Sequence, residues 1–337
     1  MEEIKQYTPK DFKSDQEVRW CAGCGDHAVL SAVHRAMAQT GIPREKIALI
    51  SGIGCSSRFP YYMNTYAFHG IHGRAPAIAS GVKMANPDLS VWVITGDGDA
   101  LAIGGNHFIH VIRRNINLNI ILLNNQIYGL TKGQYSPTSF QGQISKTSPF
   151  GTIEPPFHPG ELTLGAQGNF FARSLDYNVK LTTDILVEAA KFQGTSVVEV
   201  LQNCVIYNDN AYGYINDKAY KEDRQLILEQ GKPMIFGKNN DKGIIMEDMQ
   251  LKVVKLGENG ITEKNILIHD AKAQSPLIHW MLAKMNFPEF PVAFGVIRAV
   301  EEDTYSLKMK RQIEYIQKNS KIKNVDDLLK SGNTWEV

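Results

Sequence analysis

The sequence predicts an α/β fold: a doubly wound parallel sheet with helices on both faces and a smaller C-terminal appendage. Three observations predict it. Short, apolar, β-branched runs recur at residues 47–51, 91–95, 119–124 and 196–201; longer segments with helical spacing separate them; and a turn rich in Gly, Asp, Asn or Cys follows each run. Continuous apolar runs of that length suit strands buried on both faces, and parallel pairing needs helical crossovers between them.

Taken in order, Asp26 opens a helix over residues 26–39, where Val29, Val33, Ala36 and Met37 form one apolar stripe and Gly41 suits the C-terminal cap. The first strand is 47–51. Helices at 75–85 and 100–114 supply crossovers around the strand at 91–95, and the strand at 119–124 follows. Residues 132–159 carry Gly, Pro, Ser and Thr with weak periodicity, as a long ordered loop over a site would. After the strand at 196–201 the pattern loosens into a helix at 217–230, a strand at 252–256, a helix at 275–284 and an apolar run at 291–300. Residues 322–329 read as a terminal helix, on the surface or against a neighbouring subunit. The expected division is a cofactor-binding domain over 1–210 and an extension over 211–337 that packs on the core and on a partner.

Lys plus Arg number 36 and Asp plus Glu 35, so a net charge of +1 provides no field that would draw the chain to nucleic acid or acidic lipid. Residues 1–20 are polar and mixed in charge, without the apolar centre of a leader, and no apolar run approaches a membrane span. A cytoplasmic protein is expected, with no membrane partner. Four cysteines in a chain of this length point to metal, cluster or redox use rather than a disulfide framework.

Two turns carry the chemistry. The strand at 91–95 runs into Gly96-Asp97-Gly98-Asp99, and the strand at 119–124 into Asn124-Asn125-Gln126-Ile127-Tyr128-Gly129. Ligands of open α/β sheets bind at that strand edge, where glycines let the backbone approach a diphosphate. The carboxylate of Asp97, the amide oxygen of Asn125 and the carbonyl of Ile127 are hard oxygen donors that suit Mg²⁺. Each turn alone would be ordinary, but the pairing, with a helix and a strand between its halves, resembles the motif of thiamine-diphosphate enzymes and their fold. A nicotinamide-binding fold fits less well, because no Gly-x-Gly-x-x-Gly follows the first strand. Further diphosphate contacts are expected from Gly98, Asp99, Gly129 and Leu130 through their backbone, from Ile53-Gly54-Cys55-Ser56, and from His72.

Cys21 and Cys24 form a C-x-x-C pair, Cys55 follows the first strand, and Cys204 follows the strand at 196–201. One pair and two scattered thiolates can hold a 4Fe-4S cluster or a structural Zn²⁺, although zinc more often takes two compact pairs. A lone cysteine is commonly a small buried hydrophobe. The placing of Cys55 in a Gly-Cys-Ser-Ser turn beside the diphosphate edge favours a redox cluster.

Together these motifs resemble the β subunits of the 2-oxoacid:ferredoxin oxidoreductases, most closely the 2-oxoglutarate type. The segments that carry the likeness are Trp20-Cys-Ala-Gly-Cys-Gly-Asp, Gly-Ile-Gly-Cys-Ser-Ser, His-Gly-Arg-Ala, Gly-Asp-Gly-Asp-Ala-Leu-Ala-Ile-Gly-Gly-Asn and the run from Asn124 through Tyr135-Ser-Pro-Thr. The resemblance implies thiamine diphosphate, Mg²⁺ and a 4Fe-4S cluster as cofactors, with Cys21, Cys24, Cys55 and Cys204 as cluster ligands. It implies an α (or α/γ fusion) partner subunit that brings the activating glutamate, ferredoxin as electron acceptor, coenzyme A as acyl acceptor, and Lys132 meeting the distal carboxylate of a 2-oxoacid. A non-redox thiamine decarboxylase or lyase with structural zinc, and a cofactor-binding regulatory paralogue, are the other readings.

Overall fold

The computed structural model describes residues 6–335. In chain order the elements are α1 (Asp26–Thr40), β1 (Ile47–Ser51), α2 (Phe59–Tyr62), β2 (Tyr66–His69), α3 (Ala75–Ala85), β3 (Ser90–Gly96), α4 (Asp97–Leu101), α5 (Gly105–Arg114) and β4 (Leu118–Asn124). A long loop leads to α6 (Pro159–Gly165), β5 (Phe170–Leu175), α7 (Val179–Lys191) and β6 (Thr195–Leu201). The remainder comprises α8 (Gly213–Asn216), α9 (Lys221–Arg224), β7 (Gln225–Ile227), β8 (Ile235–Phe236), β9 (Lys242–Glu247), β10 (Gln250–Lys255), α10 (Leu277–Lys284), β11 (Val292–Ala299), α11 (Tyr305–Asn319) and α12 (Val325–Leu329).

Eight strands form one sheet in the order β2-β1-β3-β4-β6-β5-β11-β7. Neighbours are parallel except β11, which runs antiparallel to β5. A small antiparallel sheet, β8-β9-β10, stands apart. Side chains alternate across the sheet, so each strand feeds two cores. Ala48, Ile50, Val93, Ile120 and Leu122 pack with Phe108 of α5 on one face. Ile47, Leu49, Ile94, Ile121 and Leu123 pack with Val29 and Val33 of α1 on the other. The doubly wound α/β fold is as the sequence predicts.

The four strands expected from sequence are β1, β3, β4 and β6, each extended by no more than a residue or so at its ends. Several expectations need correction. The helix at 100–114 is two helices, because the backbone of Gly104 lies against Asp99: a Cβ there would stand 2.4 Å from the Asp99 carbonyl oxygen. The first of them starts at Asp97, so the Gly-Asp-Gly turn is itself a helical turn. The helix at 217–230 reduces to the single turn α9, because Gln225–Ile227 pairs with Val292–Phe294 and becomes sheet. The region beyond 210 therefore contributes two strands, β7 and β11, to the central sheet. Asp26 does not cap α1: Gly25 holds that position, and the Asp26 carboxyl is buried, its Oδ1 without a hydrogen-bond partner among the described residues. Residues 322–329 form only α12, which is exposed on the described surface. Among the described residues no helix is long and apolar enough to cross a membrane.

Candidate functional site

Because β1, β3, β4 and β6 are parallel, their C-terminal ends open onto one edge. There Ile53, Gly54, Cys55, Ser56, His72, Gly98, Asp99, Gly129 and Leu130 line one cleft together with Asp97, Asn125 and Ile127. Lys132 lies beyond it, exposed on the turn where its amide donates to the Gly129 carbonyl (3.1 Å) and the Gly133 amide to the Tyr128 carbonyl (2.8 Å). Its φ of +78° is left-handed, a conformation that costs free energy in any residue with a Cβ.

The glycines of the cleft are places where the walls touch. A Cβ at Gly98 would stand 2.2 Å from the Tyr128 ring, whose hydroxyl donates to the Gly98 carbonyl (3.1 Å). A Cβ at Gly52 would stand 1.8 Å from Asp99 Oδ2. The Asp99 carboxylate is engaged in holding loops together: Oδ1 accepts from the amides of Ile53 (3.1 Å) and Gly73 (2.8 Å), and Oδ2 accepts from Thr95 Oγ1 (2.8 Å). His72 Nδ1 is 3.8 Å from the same carboxylate. Asp99 thus ties β3 to the two loops that carry Ile53 and His72, leaving its backbone to the cleft.

Asp97 is 2% exposed, and burial raises its carboxyl above the ordinary carboxylate range. Its Oδ2 accepts from Ser136 Oγ (2.5 Å) and Thr138 Oγ1 (2.6 Å), both from the long loop. Among the described residues no Lys, Arg or His forms an ion pair with it. A buried carboxylate with hydroxyl donors and no counter-cation is the environment a divalent ion would relieve, so the donor set fits Mg²⁺. Asn125 Oδ1 accepts from the Ile127 amide (3.2 Å), which folds the Asn125–Ile127 turn against the same end of β4. Behind Asp97 a buried chain crosses the sheet. Thr138 also bonds Asn124 Oδ1 (2.8 Å), Asn124 Nδ2 donates to Glu199 Oε1 (2.8 Å), and Arg173 Nε donates to Glu199 Oε2 (2.7 Å).

The four cysteines gather beside the cleft, all with free thiols. A Cβ on Gly129 would lie 3.4 Å from Cys204 Sγ and 3.7 Å from Cys55 Sγ, so both sulfurs face the same bare stretch of backbone. Burial is the largest cause pushing the Cys55 thiol up to about 11; the negative charges of Asp26, Cys204 and Cys21 add to it. Cys24 is pushed up further still, by burial first, then by Asp26, Cys204 and Cys55. Thiols that repel one another's ionisation are near neighbours. Cys21 is the exposed member. The Trp20 indole donates to the Cys55 carbonyl (2.7 Å) and stacks edge-on against Tyr62, pinning the segment before Cys21 to the turn that carries Cys55. Among the described residues no three His, Cys, Asp or Glu side chains close tightly enough to hold a single metal ion.

Residues 52–200 match the thiamine pyrophosphate enzyme C-terminal TPP-binding domain. The chain is 45% identical over 331 residues to the 2-oxoglutarate oxidoreductase subunit KorB of Mycobacterium tuberculosis, covering 97% of this chain and 88% of that one. The chain belongs to the β subunits of the 2-oxoacid:ferredoxin oxidoreductases. Within this family it is also 46% identical over 185 residues to the 2-oxoglutarate synthase subunit KorB of Archaeoglobus fulgidus, which spans 55% of this chain and 69% of that one. Among solved structures it resembles the 2-oxoglutarate:ferredoxin oxidoreductase of Magnetococcus marinus, described with 2-oxoglutarate, coenzyme A and succinyl-CoA bound: TM-score 0.77, 31% identity, 98% of each chain. The family, the fold and the enzyme class expected from sequence are therefore borne out.

Sequence reasoning missed several residues of this β-subunit site. Ser136 and Thr138 stood in the quoted motif, but nothing local marked their hydroxyls as partners of an aspartate 39 and 41 positions away. Gln202 passed unnoticed because it directly follows a strand and looks like any polar residue at a strand end. Arg173 and Glu199 lie within strands, where a charge usually argues against burial; their mutual pairing is the signal that only the three-dimensional arrangement supplies.

Proposed function

We propose that the chain is the thiamine-diphosphate-binding β subunit of a 2-oxoglutarate:ferredoxin oxidoreductase, which converts a 2-oxoacid and coenzyme A to acyl-CoA and CO₂, or carries out the reverse carboxylation. The observation that carries this reading is the gathering of four thiols against the wall of the diphosphate cleft, with Cys55 belonging to both.

Thiamine diphosphate, when bound, supplies the carbanion that attacks the 2-oxo carbon, and a 4Fe-4S cluster supplies a one-electron acceptor beside it. The chain's own residues bind and conduct. Asp97, Asn125 and the Ile127 carbonyl would hold Mg²⁺ against the diphosphate, with Gly98, Asp99, Gly129, Leu130, Ile53, Gly54, Ser56 and His72 around it. Cys21, Cys24, Cys55 and Cys204 would hold the cluster. One C-x-x-C pair and two scattered thiolates favour a cluster over zinc, which more often takes two compact pairs. Lys132, on its exposed left-handed turn, is assigned to the distal carboxylate of the substrate.

Among the described residues no carboxylate in the cleft is free to activate an aminopyrimidine: Asp97 is engaged by Ser136 and Thr138, and Asp99 by Ile53 and Gly73. The activating acid is therefore assigned to a larger α or α/γ partner, and activity to the heteromer. Ferredoxin is the proposed acceptor and the cytoplasm the proposed location. We read 1–210 as the cofactor domain and 211–337 as an extension that completes its sheet and contacts the partner.

The test is iron, acid-labile sulfide and visible absorption of anaerobically purified protein, co-expressed with its partner, before and after 2-oxoglutarate and coenzyme A. A brown cluster that bleaches on addition of both supports the reading. A colourless protein that holds zinc refutes it.

A further inference from the structure

The thiols do not share one environment. Cys24 Sγ receives a side-chain hydrogen bond, from Gln202 Nε2 at 3.3 Å. Gln202 is 1% exposed, and its amide nitrogen also donates to the Asn203 carbonyl at 2.7 Å. That second bond fixes the orientation of the amide. A carbonyl oxygen accepts and never donates, so the NH₂ group must face Asn203, and its other proton points at the sulfur. Among the described residues Gln202 Oε1 is buried without a partner, a cost tolerated at few positions.

The residue is also fixed in place. Its backbone amide donates to the Asn124 carbonyl (2.9 Å), continuing the β4–β6 ladder, and a Cβ at Gly25 would stand 3.0 Å from its Cγ. Gly25, one residue beyond Cys24, is thus the gap through which Gln202 reaches the sulfur.

We propose that Gln202 sets the reduction potential of the cluster by donating to the Cys24 thiolate. This rests on the reading that Cys24 is a cluster ligand. On reduction the cluster gains one negative charge, part of which resides on its thiolate sulfurs. An N–H aimed at one of those sulfurs then stabilises the reduced form more than the oxidised form and raises the potential. Gln202 is a positioning residue: it acts through the Cys24 sulfur and does not line the diphosphate cleft.

The experiment is a redox titration followed by EPR and visible absorption on the full chain co-purified with its partner, comparing wild type, Gln202→Met and Gln202→Glu. Methionine keeps the unbranched shape and removes the donor; glutamate keeps the outline and replaces the amide donor with a carboxyl group that loses its donor when ionised. Gln202→Met should shift the midpoint to more negative potential, and Gln202→Glu should do so further once pH is high enough to ionise its buried carboxyl. At a fixed poise the reduced-to-oxidised ratio of Gln202→Met should fall by about two- to tenfold, the worth of one net hydrogen bond. If either variant fails to assemble with iron, the other is read alone. A merely structural role would lower iron content or melting temperature while the clusters that form titrate at the wild-type midpoint, and that result overturns the proposal. A wild-type protein without iron would instead remove the cluster assignment itself.

Discussion

Thr138→Val takes one hydroxyl from the centre of the site and leaves its volume nearly unchanged. The hydroxyl has a single proton for two acceptors, Asp97 Oδ2 at 2.6 Å and Asn124 Oδ1 at 2.8 Å. When Asp97 is ionised the proton belongs to the carboxylate, and a hydrogen bond to a charged group is worth about 1.5–3 kcal/mol. With the proton on the carboxylate, Asn124 Oδ1 loses no donor, and Asn124 keeps its bond to Glu199. The substitution should therefore destabilise the chain by about 1.5–3 kcal/mol. It should also weaken Mg²⁺ by about 10–100-fold, as losing an outer partner of a metal ligand usually does. Denaturant unfolding gives the first quantity; Mg²⁺-dependent quenching of tryptophan fluorescence by thiamine diphosphate gives the second. Thr138→Ser, which keeps the hydroxyl, should recover most of both. An unfolding change under about 0.5 kcal/mol, with Mg²⁺ half-saturation unmoved, would refute the argument that this hydroxyl orients Asp97.

Three further outcomes follow from the same geometry. Burial raises the Asp97 carboxyl, so protons compete with the cation: Mg²⁺ affinity should fall as pH falls through the Asp97 titration, and Asp97→Asn should bind weakly with a flat pH profile. Without the cation the sign reverses for stability, since a raised carboxyl favours the protonated fold and stability from this group is lost as pH rises. Gly98→Ala drives a methyl to 2.2 Å from the Tyr128 ring and should cost about 1–3 kcal/mol in unfolding experiments, with thiamine diphosphate binding weakened alongside. Cys204→Ser should lose iron and the visible cluster spectrum while far-ultraviolet circular dichroism stays near that of wild type; a full iron complement in this variant would remove Cys204 from the ligand set.

Legibility in the sequence followed locality. The Gly-Asp-Gly and Asn-Asn turns could be read because strand, turn and following residues are contiguous, and the pairing of the two turns narrowed the ligand. Strand β5 was hidden because Arg173 interrupts its apolar run; Glu199 neutralises that charge from the neighbouring strand, a partnership spanning 26 positions. Strand β2 is largely exposed at the sheet edge and carries no buried alternation to announce it. Strand β7 is three residues long and exists because β11 lies beside it, 67 positions later at Gln225 and Val292. The role of Asp99 shows the same limit: its position after Gly98 pointed to the cleft, whereas its carboxylate binds amides 46 and 26 positions away.

Strand β11 also fixes an order of events during synthesis. As the ribosome releases the first two hundred residues, β5 can pair with β6, but its other edge awaits a strand that begins at Val292. Arg173 meanwhile holds Glu199 but lacks the Ala283 carbonyl that its guanidinium meets at 3.1 Å in the finished protein. The nascent chain thus carries an unpaired apolar edge, Phe170 and Phe171 included, until the segment that begins at Val292 has been made. Open edges of this kind recruit other strands. A stop codon placed anywhere before residue 292 should yield aggregate rather than a smaller cofactor-binding protein.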